Sequence, residues 1–350
     1  MTSTETPPTR PIATLDEVAR VAGVSRATVS RVVNGSPKVS PDVRRVVERA
    51  VDRLGYVPNR AARSLVTRRS DSVGVVVSES AARVFEDPFF PRVLRGISVE
   101  LGASDLQLVL LMPDMTPGDG RLESYLAAGH VDGALLVSLH GDDPLPSRLA
   151  ARGIPLVVGG RPPRGARVAY VDVDNRGGGH IATAHLVERG RRRIATIAGP
   201  ADMAAGVDRL AGYRDALTEA GLPLEPALEA RGDFTRESGA AAMTALLERA
   251  PDIDAVFAAS DLMASGALGV LRAAGRGVPD DIAVVGFDDS PVARSTEPPL
   301  TSVRQPVEEM GREMARLLIS GLGGRESVAR HVILETDLVP RASSKGGASR

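Results

Sequence analysis

The chain has 350 residues, of which 43% are hydrophobic and 25% are charged, so it is long enough to bury two or three cores. It contains no cysteine, which excludes disulfides, thiolate nucleophiles, Cys-ligated zinc and iron–sulfur clusters. Its two lysines, Lys38 and Lys345, do not follow the glycine-rich loop of P-loop nucleotide hydrolases, so that chemistry is excluded as well.

The net charge of −1 conceals two oppositely charged parts. Residues 1–70 carry 13 basic and 6 acidic side chains, a net charge of +7, whereas the rest of the chain has a net charge of −8. A basic head on an acidic body favours a polyanion-binding module joined to a second functional unit, although charge alone leaves a merely solvated head open. The polar N-terminus and the lack of a run of about 20 apolar residues predict a cytoplasmic protein that does not enter a membrane.

Residues 14–58 have the pattern of three short helices. Thr14 and Glu17 have the spacing of a capping box, Ser25 can cap a second helix, and Ser40 can cap a third. The turn between the first two helices is tight and contains a glycine, which predicts a helix-turn-helix. We expect its core to consist of Leu15, Val18, Ala19, Ala22, Val29, Val32, Val33, Val43, Val46, Val47, Ala50, Val51 and Leu54.

The second helix turns a polar face away from that core, and this face carries two arginines and no carboxylate. Arginine can form a bidentate pair with a guanine edge, and short hydroxyl and amide side chains suit phosphate oxygens. An ordinary solvated face usually mixes both signs of charge, so the pattern favours contact with the major groove of DNA. The face consists of Ser25, Arg26, Ala27, Thr28, Ser30, Arg31 and Asn34.

A short helix is predicted next, over residues 59–65. Asn59 can cap it, but a helix of under two turns does not persist alone in water. Leu65 can insert between base pairs of a minor groove or pack on the following domain, and its spacing leaves both alternatives open.

The segment TLDEVARVAGVSRATVSRVVNGSPKVSPDVRRVVERAVDRLGYVPNRAARSL resembles the DNA-binding headpiece of the LacI/GalR family of bacterial transcription regulators. The resemblance implies that Arg26 and Ala27 occupy the positions at which family members differ in operator choice, and that Arg31 is the shared base-reading arginine. It also implies that residues 59–70 are a hinge helix and linker, with Leu65 inserted by two protomers at the centre of a palindrome. The other implied DNA contacts are Thr14, Ser25, Thr28, Ser30, Asn34, Lys38, Asn59, Arg60 and Arg63.

From residue 71 onwards, short β-branched runs alternate with helical stretches, which predicts parallel sheets covered on both faces. The length fits two α/β lobes better than a single sheet. In such sheets ligands bind beyond the carboxyl ends of the strands. The predicted strands are 73–78, 106–112, 131–138, 155–160, 168–174, 193–199, 255–260 and 282–288.

The family resemblance continues more loosely along this body and implies a core similar to periplasmic sugar-binding proteins. The implied fold is an all-α helix-turn-helix headpiece plus an α/β periplasmic-binding-protein-like core of two parallel-sheet lobes. The chain would cross between the lobes near residues 170, 300 and 325. The expected segments are a disordered leader (1–13), the helix-turn-helix domain (14–58), the core (71–342) with an N-lobe of about 71–170 and 301–325 and a C-lobe of about 171–300 and 326–342, and a flexible tail (343–350).

The resemblance also implies an effector site in the core. It makes Arg209 the arginine that contacts effector hydroxyls or carboxylates, Phe234 an aromatic that stacks on the effector, and Asp288 the aspartate at the floor of the cleft. Ser260 and Asp261 match a polar pair at another strand end. Phe89 and Phe90 fall where the family often has Asn-Pro-Phe-Phe, with Asp87 in place of the usual asparagine.

The residues by themselves leave structural alternatives open at these positions. Arg209 can pair with Asp208 or Asp215, and Phe234 can belong to the core. Asp261 or Asp288 can cap the helix that follows its strand.

Neither the histidines nor the glycine triplet has the spacing of a cofactor site. His180 and His185 lack the i, i+4 spacing of a zinc helix, and Gly177–Gly179 lacks the strand context of a dinucleotide loop. We therefore predict no catalytic residues, no metal and no cofactor. The C-terminal residues 342–350 lack leucine heptads, which favours a homodimer over a tetramer.

These observations favour a homodimeric repressor that binds a palindromic DNA operator and is released by a small-molecule effector, a sugar or oligosaccharide. A co-repressed regulator with a purine-like or phosphorylated ligand is the alternative within the same class. A sugar-binding transport protein or a carbohydrate enzyme is the alternative from another class. The basic headpiece and the missing signal peptide disfavour the transporter.

Overall fold

The protein is described from a computed structural model, which covers residues 13–57, 69–112, 120–162, 165–322 and 330–345. Its contacts divide the chain into two compact units, residues 1–70 and residues 71–350.

The first unit contains the three predicted helices: α1 (Leu15–Ala22), α2 (Arg26–Val33) and α3 (Pro41–Leu54). The capping box is present, since the Thr14 amide donates to the Glu17 carboxylate at 2.7 Å and the Glu17 amide donates to the Thr14 hydroxyl. The Ser25 hydroxyl caps α2 by accepting from the Thr28 amide. Ser40 precedes α3 as predicted, but its side chain makes no capping hydrogen bond.

The core of this unit differs from the prediction at two positions. Val46 is 37% exposed, because the apolar stripe of α3 runs through its neighbour Val47 and leaves Val46 at the edge. Tyr56 is buried and was not predicted to be in the core. It follows Gly55, which ends α3 in the left-handed conformation, and this turn brings Tyr56 back onto the helix.

The second unit is built from two lobes, and each lobe has one six-stranded sheet. All eight predicted strands are present, with ends within two residues of those expected. The first lobe has strand order β11-β5-β4-β3-β1-β2, with all pairs parallel. Its strands are β1 (Ser72–Val77), β2 (Gln107–Leu111), β3 (Gly133–Val137), β4 (Leu156–Gly159), β5 (Ala169–Val173) and β11 (His331–Leu334).

Helices cover both faces of the first sheet. One core lies between the sheet and two long helices, and another lies under two short ones. The helices of this lobe are α4 (Ala81–Glu86), α5 (Phe89–Ala103), α6 (Arg121–Ala127), α7 (Leu145–Ala151) and α13 (Val307–Leu322).

The second lobe repeats this plan with strand order β12-β10-β9-β8-β6-β7, in which β12 alone is antiparallel to its neighbour. Its strands are β6 (Ile194–Ala198), β7 (Glu229–Arg231), β8 (Ala255–Ala258), β9 (Ala283–Asp288), β10 (Thr301–Arg304) and β12 (Asp337–Val339). Its helices are α8 (Asn175–Glu188), α9 (Ala204–Glu219), α10 (Arg236–Arg249), α11 (Asp261–Ala273) and α12 (Pro291–Ser295).

The chain crosses between the lobes three times, but two boundaries lie elsewhere than expected. β10 belongs to the second sheet, because Thr301 pairs with Val285 of β9, and β11 belongs to the first sheet, because His331 pairs with Tyr170 of β5. The second and third crossings therefore follow Arg304 and Leu334. Neither segment was predicted as a strand, so the expected boundaries did not include their pairing with these sheets.

Close contact between α5 and α13 fixes the first lobe. A Cβ atom at Gly96 would lie 2.0 Å from the backbone oxygen of Glu308, so the two helices can approach this closely only with glycine at position 96. Gly102, near the end of the same helix, has open space around it.

We expect Gly96→Ala to reduce the free energy of unfolding of the core by at least ~2 kcal/mol, because the added methyl group must push two packed helices apart. Gly102→Ala is the matched control and should leave stability unchanged or raise it by up to about 1 kcal/mol. Denaturant unfolding of both variants measures the difference. Equal stabilities would contradict the close packing described here.

Candidate DNA-binding surface and ligand cleft

The outer face of α2 presents the residues predicted to read DNA. Arg26, Ala27, Arg31 and Asn34 are exposed, while the hydrophobic residues Val29 and Val32 face the core. Thr28 and Ser30 are half-buried, and Lys38 is exposed in the loop after α2. The helix therefore separates its apolar and polar faces as the sequence predicted.

Internal contacts already use some of these side chains. The Ser25 and Thr28 hydroxyls share a hydrogen bond of 2.9 Å, and the Asn34 amide donates to the Ser30 hydroxyl at 3.3 Å. Arg26 lies 3.7 Å from Asp16 of α1, so a carboxylate from the neighbouring helix does reach this surface. The Arg31 guanidinium is exposed and forms no ion pair with any described residue.

The predicted hinge residues Asn59, Arg60, Arg63 and Leu65 lie outside the described residues, as do most of the leader and tail. Their roles remain predictions from the sequence.

The second unit has a cleft between its lobes, at the carboxyl ends of the strands of both sheets. One cavity in this cleft has a volume of about 450 Å³, which includes space open to solvent. The cavity brings together six of the seven predicted effector residues, Asp261 being the exception. Its lining consists of Arg83, Asp87, Phe89, Phe90, Ser138, Met203, Ala205, Arg209, Phe234, Ser260, Asp288 and Gln305.

Arg209 of α9 is a buried cation at the centre of this cavity. Its Nε donates to the Asn175 side-chain oxygen at 2.9 Å, and its Nη1 donates to the Ala259 carbonyl at 2.7 Å. Nη1 also lies 3.4 Å from the Asp288 carboxylate, and the guanidinium covers the ring of Phe287. Burial lowers the pKa of Arg209, and nearby carboxylates, first Asp288, oppose that shift.

The alternative partners of Arg209 are occupied elsewhere. Asp208 pairs with Arg161, and Asp215 pairs with Arg176. Arg209 can point into the cleft because α8 and α9 are in close contact. A Cβ atom at Gly179 would lie 2.3 Å from the Arg209 carbonyl oxygen, which explains one residue of the glycine triplet at the start of α8.

Asp288 ends β9 at the floor of the cavity. Its backbone has a φ of 110°, a conformation that non-glycine residues rarely adopt and that occurs often at functional sites. The Gln305 amide donates to its carboxylate at 2.5 Å. Burial raises the pKa of Asp288 to about 6, although the charge of Arg209 opposes this. The helix that follows β9 has Ser290 at its N-cap position, so Asp288 does not cap it.

Phe234 lies in the cavity wall with a φ of 71° and is 8% exposed. Its ring lies between the guanidinium groups of Arg83 and Arg209, at 5.8 and 5.6 Å from the ring centroid. The side chain also packs against the core beneath β6 and β8. Phe234 therefore both lines the cavity and packs in the hydrophobic core.

Asp261 does not line the cavity, so its predicted contact with the effector is not supported. It is fully buried as the first residue of α11, where its carboxylate accepts from the Ser302 hydroxyl at 2.6 Å and from the Ser290 amide at 2.7 Å. These bonds tie β10 and the start of α12 to α11. Its neighbour Ser260 lines the cavity and also caps α11 by accepting from the Met263 amide.

Phe89 and Phe90 begin α5 and contact each other edge to face, with ring centroids 5.4 Å apart. Asp87, which stands where the family often has asparagine, accepts a hydrogen bond from the Phe89 amide at 2.9 Å. Burial raises the pKa of this carboxyl group. The substitution therefore retains an acceptor for the start of the helix and adds a carboxylate to the cavity wall.

A second cavity of about 550 Å³ adjoins the first and extends to the crossings between the lobes. It shares Phe89, Ser138 and Arg209 with the first cavity and adds Asp172 and Asn175. Desolvation raises the pKa of Asp172, whose carboxylate accepts from backbone amides.

Several residues that line the two cavities were not predicted. Some of them follow a sequence pattern that could have identified them, and others do not. Ser138 and Asp172 come at the carboxyl ends of predicted strands, the place where ligand contacts are expected. Arg83 and Gln305 carry no such signal, because one lies on a short helix and the other on a crossing between lobes.

Within the described parts of the chain, no helix is long and apolar enough to cross a membrane. No group of three or more His, Asp or Glu side chains in these same parts is arranged to hold a metal ion.

Comparisons with known proteins agree with both parts of the chain. Residues 14–59 match the family described as bacterial regulatory proteins, lacI family, and residues 183–344 match a periplasmic binding protein-like domain. The HTH-type transcriptional regulator CelR of Thermobifida fusca is 57% identical over 333 residues, which cover 94% of this chain and 98% of that protein. The HTH-type transcriptional repressor CytR of Escherichia coli K12 is 33% identical over 95% of this chain and 96% of that protein.

Solved structures give the same result. A CelR–cellobiose complex has a TM-score of 0.76 and 55% sequence identity, and the match covers 95% of this chain and 100% of that one. A lac repressor dimer bound to operator and the anti-inducer ONPF has a TM-score of 0.83 and 28% identity over 95% of this chain and 99% of that one.

A helix-turn-helix unit followed by a two-lobed, ligand-binding-type core defines a ligand-responsive DNA-binding regulator. The chain belongs to the LacI family of bacterial transcription regulators.

We expect Arg31→Ala to reduce specific operator affinity by about 1–3 kcal/mol while barely changing affinity for random duplex, because a base contact carries specificity. Lys38→Ala is the matched control. It removes an exposed cation outside α2 and should weaken binding to both duplexes alike and lower the salt dependence. Fluorescence anisotropy with both duplexes at several salt concentrations measures the difference. An equal loss on both duplexes for Arg31→Ala would rule out base reading.

Proposed function

We propose that this regulator is a cytoplasmic homodimeric repressor that binds a palindromic operator and releases it when a neutral sugar occupies the cleft. The observation that carries the proposal is the cluster of Arg209, Asp288 and Phe234 at the carboxyl ends of the second sheet. We assign base reading to the α2 face and effector binding to this cluster.

The cleft has the chemistry that a sugar needs. The hydrogen bonds of Arg209 to protein use Nε and Nη1, which leaves Nη2 to donate to a ligand hydroxyl. Asp288 and Asp172 offer acceptors, and Phe89 and Phe234 offer apolar surfaces for the C–H faces of sugar rings. Two adjoining cavities suit a ligand of two rings.

The charge of the cleft disfavours a phosphorylated effector. Its walls contain three carboxylates, Asp87, Asp172 and Asp288. Two of the three arginines in the walls are already neutralised, Arg83 by Glu79 and Arg161 by Asp208. A dianionic phosphate would therefore meet more negative than positive charge.

Cellobiose is the first effector to test, because CelR has been solved as a cellobiose complex and is similar to this chain over nearly its full length. The proposal for this chain rests on that similarity together with the neutral-sugar chemistry of the cleft. Co-repression by a purine-like or phosphorylated ligand remains the second candidate within the class, and it differs in the sign of the effect on operator affinity.

The direct experiment titrates an operator complex of the purified dimer with cellobiose, a phosphorylated disaccharide and a purine. We expect cellobiose alone to weaken operator binding, and we expect Arg209→Ala to abolish this response. Arg214→Ala is the matched control, because Arg214 lies on the same helix and pairs with Glu229 outside the cavity lining. A ligand that strengthens operator binding, or turnover of cellobiose, would overturn the proposal.

The proposed hinge gives a separate expectation. If two copies of Leu65 insert together into the minor groove, Leu65→Ala should reduce operator affinity far more than affinity for random duplex. The same anisotropy assay with both duplexes measures this. Equal losses would instead support packing of Leu65 on the core.

A further inference from the structure

Polar contacts join the two lobes along one edge of the cleft. At this edge the residues that follow β3 and β4 of the first lobe meet residues 202–208 of the second. His140 Nδ1 lies 3.0 Å from the Asp202 carboxylate, and the Gly141 amide donates to the Asp202 carbonyl at 2.8 Å. Arg161 binds both carboxylate oxygens of Asp208, at 2.5 and 2.6 Å.

His140 is held between two carboxylates from opposite lobes. Its Nε2 lies 3.0 Å from Glu79 of the first lobe, and its Nδ1 faces Asp202 of the second. Glu79 is buried and also accepts from the Ser138 hydroxyl at 2.6 Å. Since both ring nitrogens face carboxylate oxygens, both can donate only when the imidazole is protonated.

Three of these side chains lie outside the ligand cavities. His140, Asp202 and Asp208 line neither of the two adjoining cavities, whereas Arg161 lines the second one. The His140–Asp202 pair therefore acts on the distance between the lobes and not on the ligand directly, while Asp208 also neutralises Arg161 in the wall of the second cavity.

We propose that His140, Asp202 and Asp208 form an interlobe latch that holds the cleft closed and thereby sets effector affinity without touching the effector. The proposal rests on the proposed function of the cleft for its ligand readout. Because opening of the lobes would separate Asp202 from His140 and Asp208 from Arg161, closure gains these interactions and opening loses them.

The latch is expected to depend on pH through His140. The charged groups that face it are Glu79 and Asp202, with Arg83 behind Glu79, while Asp143 of its own loop accepts from a backbone amide. The hydrogen bond to Glu79, followed by that to Asp202, raises the pKa of His140 despite partial burial. Because closure adds Asp202, this pKa is higher in the closed state, so closure is favoured at low pH and weakens as pH rises through it.

The test compares charge-removing variants of the latch with matched variants inside the second lobe. Asp208→Asn removes an ion pair across the cleft, in which Arg161 Nη2 donates to both carboxylate oxygens. Asp215→Asn removes the ion pair of Asp215 with Arg176, which does not cross the cleft. Asp202→Asn removes a His–carboxylate pair across the cleft, and Glu219→Gln removes the His180 pair, which lies at 2.7 Å within one lobe.

We expect calorimetric titration with cellobiose to show about 3- to 10-fold weaker binding for Asp202→Asn and Asp208→Asn, and no change for the two control variants. Wild-type affinity should fall as the pH rises above about 6.5, the ordinary pKa of histidine, because the pKa of His140 is raised. Asp202→Asn should remove most of that fall. Asp202→Glu should restore part of the affinity. The latch would be overturned if all four variants bound cellobiose as tightly as the wild type. It would also be overturned if all four variants lost the same amount of affinity.

A ligand-free readout separates failure of the latch from failure of the effector assignment. The Gly141 amide bonds across the cleft, so its hydrogen exchange should be faster in both latch variants than in the wild type and the controls. If wild-type protein binds no cellobiose but this difference is present, the effector assignment is wrong and the latch stands. If exchange at Gly141 is the same in all variants, the latch is wrong.

Discussion

The architecture of the cleft depends on a single buried cation. Arg209 is 5% exposed, and a guanidinium is stable there only if its nitrogens are paired and its charge is offset. Asn175 at a crossing between lobes, the carbonyl of Ala259 after β8 and the carboxylate of Asp288 after β9 meet this requirement. Because these three polar groups all bind the guanidinium of Arg209, they are held close together around it. A hydroxylated ligand needs polar groups placed in this way.

That arrangement has an energetic cost that the fold offsets elsewhere. Burial raises the pKa values of Asp87, Asp172 and Asp288, and the backbones of Phe234 and Asp288 have positive φ angles. Phe234 is packed tightly in this conformation, since a Cβ atom at Gly199 would lie 2.4 Å from its ring. Strain and buried charge concentrated at one place are typical of a binding site rather than of a structural core.

The sequence predicted the fold well where local chemistry is decisive. The capping box at Thr14, the glycine at the end of α3 and the apolar runs of the eight predicted strands each act within a few residues, and all form as expected. The segments that form β10 and β11 were not predicted as strands, and the expected lobe boundaries placed them in the opposite lobes, because their partner strands are distant in sequence.

The same distinction, between local sequence patterns and contacts distant in sequence, applies to the residues of the cleft. Arg209, Phe234 and Asp288 line the cavity, as the family resemblance implied. Only Asp288 ends a predicted strand, so the positions of Arg209 and Phe234 depended on the resemblance and not on a local pattern. Asp261 could not be separated from Asp288 by sequence, since both carboxylates end a strand, and tertiary contacts with Ser302 and Ser290 turn Asp261 away from the cavity. Gln305 and the His140–Asp202 pair depend on how two lobes meet, which no local pattern encodes.

The central claim is that occupation of the cleft and binding of operator are coupled equilibria of one molecule. Coupling of this kind is reciprocal, so the factor by which effector weakens operator binding must equal the factor by which operator weakens effector binding. The most direct test is to measure the cellobiose affinity of the dimer with and without saturating operator. We expect cellobiose to bind the operator complex more weakly, by the same factor found in the operator titration. Identical cellobiose affinities in the two states would contradict it.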